Sequence, residues 1–300
     1  GSVGFEEAKL ILKETESEEV PLEFNINIYP VSQSWEMGKG TRFDNIETAG
    51  VTWNYREGDS SLRWVNNVVG GNIVFATNTT GSFAGRGGVW HSNLSSSKSF
   101  TYKTEDIDTD ITTIFQSWLS GSIQNEGLIV KHENSSEEDT NDYGILKFFS
   151  KETNTIHQPK VRIGWDDVSF STGSLTELTS EEIKVGIRNF KKHYKVNTTP
   201  KLRVVGRDLY PTKTFSSTAQ YSISKFLPTT SYYQICDYHS GETIIPFSNY
   251  TKLSCDTDGN YFNLNLSNWE VDRVYNIEFK ITIGGVDYFF DNDYTFSLIS

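Results

Sequence analysis

Three hundred residues exceed one ordinary β-sandwich and suit two domains of normal size, each able to bury a core. Seven Trp, fifteen Tyr and nineteen Phe beside one Met and two Cys favour pleated sheets over helices. A net charge of −12 argues against a phosphate-wrapping surface, so no nucleic-acid partner is expected, and no apolar run reaches the ~18 residues of a membrane span.

The acidity is uneven. Residues 1–166 hold 14 Lys and Arg against 24 Asp and Glu, a balance of −10. Residues 167–300 hold 13 against 15, a balance of −2.

Taken in chain order, Leu22, Phe24, Ile26 and Ile28 alternate with Glu23, Asn25 and Asn27, which predicts a strand with one wet face. Gly38 to Thr48, Val69 to Gly88 and the polar stretch Glu133 to Asp142 read as loops. Between Asp110 and Gly121, Ile111, Ile114, Phe115, Trp118 and Leu119 recur at helical spacing. That spacing predicts one short helix over about 112–120, capped by Asp110 or Thr112 and ended by Gly121. Val161, Ile163 and Trp165 alternate with Arg162 and Gly164, a second strand pattern.

The Ser/Thr/Asp/Glu-rich residues 167–184 are expected to link the domains. Beyond them Phe262, Leu264 and Leu266 alternate with Asn263 and Asn265. Tyr275, Ile277, Phe279, Ile281 and Ile283 do so over a longer run, followed by Gly284-Gly285 and an apolar stretch to Phe290. Two glycines between two strands predict a tight hairpin. The expected fold is all-β, with sandwiches over 1–166 and 185–300, and no repeat supports a β-helix or propeller.

Several landmarks fall in a specific order in the first domain. They are Ser34-Trp35-Glu36, Gly50-Val51-Thr52-Trp53-Asn54, Asp110-Ile-Thr112 leading to Trp118-Leu-Ser-Gly121, Asn125-Glu-Gly127-Leu128, Phe149-Ser-Lys-Glu152 and Pro159-Lys-Val161. This series resembles the DNRLRE-type modules, which implies a jelly-roll-like β-sandwich of the kind found in bacterial surface proteins and phage structural proteins. Such modules usually begin with further strands upstream of the segment matching Val3 to Leu12, so the resemblance implies N-terminal strands missing from this sequence, to be supplied by a longer product or by another subunit.

Ile244-Ile-Pro-Phe247, Thr251-Lys-Leu-Ser-Cys255-Asp and Gly259-Asn-Tyr-Phe262 precede Tyr288-Phe-Phe-Asp291-Asn-Asp293. This arrangement resembles virion structural proteins of contractile-tailed phages, which implies an Ig-like β-sandwich for the second domain.

Chemistry-bearing residues are scattered. His91, His132, His157, His193 and His239 form no HExxH or i, i+4 pair, and Gly81 to Gly85 lacks the spacing of a nucleophile elbow. Cys236 and Cys255 can either pair or remain two buried thiols. Asn78, Asn93, Asn134, Asn197, Asn249 and Asn265 open Asn-x-Ser/Thr triplets, which arise by chance in a chain this rich in those residues. No cofactor is expected, with calcium as the one option. Asp106, Asp108 and Asp110 place three carboxylates on alternating positions, and Asp256 and Asp258 resemble the opening of a calcium loop without its terminal Glu. The competing readings are a helix N-terminus and a hairpin turn.

For glycans, Trp64 and Trp90 are the candidates, with burial in the core or a subunit interface the stronger competing reading, whereas Trp53, Trp118 and Trp165 sit where the motif builds core. The expected function is a non-enzymatic virion structural protein in the baseplate, tail fibre, neck or capsid accessory layer. It would contact other virion proteins and form a symmetric or homo-oligomeric assembly. A carbohydrate-binding adhesion module for host glycans is the alternative, and a polysaccharide hydrolase the second alternative.

Overall fold

A computed structural model of the chain describes residues 4–38, 49–53, 55–58, 62–64, 73–75, 88–103, 105–133, 136, 140–211 and 225–300. It is all-β and sandwich-type with a short α-helix described at 112–119, and the chain divides into two compact units, Phe5–Gly164 and Trp165–Ser300. The loops expected over Gly38 to Thr48, Val69 to Gly88 and Glu133 to Asp142 lie largely outside the described residues.

The first unit is built from β1 (Gly4–Leu12), β2 (Glu14–Glu18), β3 (Glu23–Pro30), β4 (Tyr55–Glu57), β5 (Leu62–Arg63), β6 (Ile73–Phe75), β7 (Val89–His91), β8 (Ser96–Thr101) and β9 (Ile107–Asp110). The helix α1 (Thr112–Leu119), β10 (Leu128–His132), β11 (Ile145–Phe148) and β12 (Lys160–Asp166) follow. Two three-stranded sheets run in the orders β12-β1-β9 and β10-β3-β8, with β11 on β2. Their core is Ala8, Leu10, Ile26, Ile28, Phe100 and Ile107. Ile111 and Ile114 join it, so the apolar stripe of α1 closes this core as its spacing predicted. The N-cap of α1 is Ile111, with no side-chain cap bond, rather than Asp110 or Thr112; the Asp110 carboxylate accepts from the Thr112 N–H at 2.7 Å just outside it, and Gly121 takes φ +71° beyond the helix end.

One strand departs from its pattern. The residues expected to be buried in β12, Val161 and Ile163, are 42% and 37% exposed. Arg162 Nη2 lies 3.5 Å from Asp108 Oδ2, on the face that β9 turns to solvent. β12 is the edge strand of its sheet, and the apolar row on its other face is only partly covered.

The second unit contains β13 (Thr176–Glu177), β14 (Ile183–Arg188), β15 (His193–Lys195), β16 (Lys201–Asp208), β17 (Lys225–Phe226), β18 (Ser231–Asp237) and β19 (Thr243–Ile245). It ends with β20 (Ser254–Asp256), β21 (Gly259–Asn263), β22 (Val274–Ile283) and β23 (Val286–Ile299). One sheet runs β13-β17-β16-β21-β20 with β14 also on β16, and the other runs β15-β23-β22-β18-β19. Between them Val185, Leu202, Val204 and Phe262 pack with Ile235, Ile277, Phe279, Ile281 and Phe296. Each such side chain removed from water contributes roughly 1.5–3 kcal/mol. Gly284 and Gly285 take φ +59° and +86° between the paired Ile283 and Val286, the tight hairpin predicted.

Residues 167–184 are not a solvated linker. Phe170 bridges Cys255, β13 pairs with β17, and the Leu178 side chain is fully buried in the second core. The isolated apolar residues of this stretch are its anchors, and the second unit begins at Trp165.

Candidate functional site

Five exposed apolar residues of the first unit lie in or beside one hydrogen-bonded module. Residues 34–38 run beside 49–52 and 55–58: Val51 N–H donates to the Glu36 carbonyl at 2.6 Å, and Glu36 N–H to the Arg56 carbonyl at 3.1 Å. Gly50 takes φ +100°, and a Cβ there would lie 2.7 Å from the Met37 oxygen, so the two backbones approach as only glycine allows. Arg56 Nη1 ties to the Ser34 carbonyl at 3.0 Å and its hydroxyl at 3.1 Å. The Trp35 indole N–H donates to the Glu126 carbonyl at 2.7 Å, which fixes the ring.

On this frame Trp35 is 38%, Met37 56%, Val51 39%, Trp53 51% and Leu62 41% exposed. Two Trp, a Met and two aliphatic side chains are thus left partly in water on a backbone held by cross-segment hydrogen bonds.

The glycan candidates lie elsewhere. Trp64 is buried against Val31 and Val89, with its indole N–H on the Thr52 carbonyl at 3.1 Å. Trp90 is 1% exposed, with Tyr29 5.6 Å from its ring and the Lys131 ammonium 4.6 Å from its centroid. Neither ring face is open to a sugar, and both side chains are core residues, the competing reading of these two positions. Trp53 is the converse: expected in the core, it faces solvent. Trp118 and Trp165 are half-buried. Sequence reasoning missed Trp35 and Met37 as surface groups, although the polar neighbours Ser34 and Glu36 were a signal that this Trp sits in a turn.

The calcium candidates do not converge. Asp106 accepts from Lys13 Nζ and from the Glu14 N–H, both at 2.9 Å; burial pushes its pKa up, but these bonds and the Lys13 charge together carry it below the usual carboxylate value. It lines a shallow polar recess with Glu14, Thr15, Lys98, Lys103, Glu105 and Asp108, where Lys98 and Lys103 both pair with Glu105. Asp108 faces Arg162, and Asp110 is engaged at the helix start, its pKa lowered first by the Thr112 N–H. Asp256 is claimed by Arg203 and Lys201, and Asp258 sits in the two-residue turn between the paired Asp256 and Gly259. Among the described residues no three His, Cys, Asp or Glu side chains gather as a metal site. The acidic positions serve a helix start, ion pairs and a hairpin turn.

The histidines pack rather than cluster. His132 lies between Phe24 at 5.7 Å and Tyr143 at 5.4 Å, His157 stacks on Phe149 at 5.0 Å, and His193 Nδ1 meets Ser297 Oγ at 2.8 Å. Cys236 and Cys255 are buried free thiols whose pKa values burial pushes up, which makes them poor nucleophiles.

Comparison of the chain with protein-family profiles, curated proteins and solved structures finds no match.

Proposed function

We propose that this chain is a non-enzymatic assembly protein, a structural component of a phage virion, that attaches to neighbouring virion proteins through the Trp35–Trp53 platform. The observation that carries this reading is the combination of exposed Trp35, Met37, Val51, Trp53 and Leu62 with a backbone held by cross-segment hydrogen bonds. Binding energy in protein interfaces concentrates in a few aromatic anchors, and Trp and Met are enriched there. The virion setting rests on the order of motifs resembling the DNRLRE-type modules and contractile-tail virion proteins. A baseplate, tail-fibre, neck or capsid-accessory position suits it equally.

The test is incorporation. Particles assembled with Trp35→Ala or Trp53→Ala chains should contain about tenfold less of the protein by quantitative mass spectrometry. Equal incorporation of both variants would remove the platform as the contact, and absence of the wild-type chain from purified particles would remove the virion role.

Two exposed indoles also favour host-glycan binding, since sugars stack on aromatic faces. Glycan-array binding by the wild type that is lost in Trp53→Ala, with incorporation unchanged, would select that reading instead.

A further inference from the structure

The outer face of the second unit's β14–β16 pair gathers positive charge in a chain whose balance is −12. The two strands are antiparallel, with Lys184 opposite Arg207 and Arg188 opposite Arg203. Ile183, Val185, Ile187, Leu202 and Val204, which alternate with these residues, fill the core, so the four cations share the solvent side. Like charges directly opposite each other destabilise an antiparallel pair, and here two such pairs sit on the same two strands.

At one end the charge is neutralised. Asp256 takes Arg203 through both guanidinium nitrogens, and Lys201 Nζ lies 2.9 Å from it. Lys184, Arg188 and Arg207 are exposed, and among the described residues no carboxylate lies within ion-pair distance of any of them. The Arg207 guanidinium reaches only the Asp208 carbonyl, at 3.4 Å. The uncompensated row costs stability in the isolated chain, and an acidic surface laid against it would turn that cost into attraction.

We propose that the row Lys184, Arg188 and Arg207 is a docking surface for the acidic first unit of a second copy of this chain. The occupant follows from charge complementarity. Residues 1–166 carry a balance of −10, so every copy brings the complement of the row. A nucleic-acid polyanion would meet three cations on a body of net −12 and be repelled by the rest of it. Because the contact joins unlike surfaces, it closes a two-fold dimer when two copies make it reciprocally, and otherwise builds a ring or an open filament. It names a partner within the assembly role proposed above and rests on that reading.

Sedimentation velocity of the full chain over a concentration series, at about 50 mM and about 500 mM salt, tests it. The wild type should self-associate at low salt and return to a single chain at high salt. A Lys184→Glu/Arg188→Glu/Arg207→Glu variant should stay monomeric in both while keeping the wild-type circular dichroism. Asp256→Ala, which releases Lys201 and Arg203, should tighten association by about threefold or more. A wild type that is monomeric at low salt, or a reversal variant that associates like the wild type, overturns the proposal. Binding of heparin or a duplex oligonucleotide to the row without self-association also overturns it, because the row then serves another anion. Loss of Trp53→Ala chains from particles in the absence of self-association would leave the assembly reading standing and this contact refuted.

Discussion

Arg203 grips Asp256 with both terminal guanidinium nitrogens across the sheet of β16, β21 and β20, one of them at 2.8 Å from Oδ2. Tyr261 lies beneath the pair, 5.3 Å from the guanidinium carbon and 3.6 Å from Lys201 Nζ. The Arg203 hydrogen bonds, foremost among the causes, hold the Asp256 carboxyl well below the usual carboxylate range. A carboxyl depressed in the folded state stabilises the fold above its unfolded pKa, and that contribution is lost as pH falls through the folded value. Asp256→Asn should therefore destabilise the protein by about 1 kcal/mol at neutral pH, as suits a half-exposed pair. Urea titrations from pH 7 down to pH 2 should show the two proteins converging below about pH 4. A constant difference across that range would assign the effect to packing rather than charge.

Gly206 in β16 is a packing requirement. A Cβ there would collide with Leu227 Cδ2 and lie 2.9 Å from Leu178 Cδ2, and both leucines are fully buried. Neither has room to yield, so Gly206→Ala should cost about 1–3 kcal/mol by overpacking. The double variant Gly206→Ala/Leu227→Ala should lose less than the sum of the single losses, because the second change opens space for the first. Additive losses by denaturant unfolding would show that the two positions do not share the strain.

The tryptophans separate by role. Trp90→Ala removes a ring that is 1% exposed and strips the buried Lys131 ammonium of its aromatic neighbour, so it should cost about 3–5 kcal/mol or prevent folding. Trp53→Ala should leave the unfolding midpoint within about 0.5 kcal/mol of wild type. A large stability loss in Trp53→Ala would mean that this ring is a core residue, and the platform would lose its central anchor.

The strands of the second core were legible because β22 buries one face along its whole length, and Tyr275 to Ile283 therefore alternate without a break. Alternation alone does not say which face has a partner sheet. Val161 and Ile163 obey the same rule as Ile277 and Phe279, yet on the edge strand β12 they are only partly covered. Phe170 and Leu178 were hidden among polar residues, since single anchors carry no period. Trp53, expected in the core, turns outward for a similar reason. Which indole the backbone turns inward depends on the hydrogen bonds between residues 34–38 and 49–58, not on the identity of flanking residues. The row of Lys184, Arg188 and Arg207 appears only through the strand register, which sets Lys184 opposite a residue far along the chain.

His132 gives the first unit a pH dependence of its own. Burial, and then the nearby Lys131 charge, push its pKa below the ordinary 6.5, so the folded chain favours the neutral ring between Phe24 and Tyr143. The unfolded chain then binds more protons just below pH 6.5, and stability falls as the pH drops from there through the folded value. His91, also lowered by burial, acts in the same direction. His132→Phe keeps a ring between Phe24 and Tyr143 and cannot take up a proton. It should therefore match or exceed the wild type at about pH 5 and reduce the slope of stability against pH between about 5 and 7, leaving the residual slope of His91. An unchanged slope in guanidinium titrations over that range would mean that His132 is protonated in the folded protein as readily as in the unfolded chain, and that its aromatic neighbours do not exclude the charge.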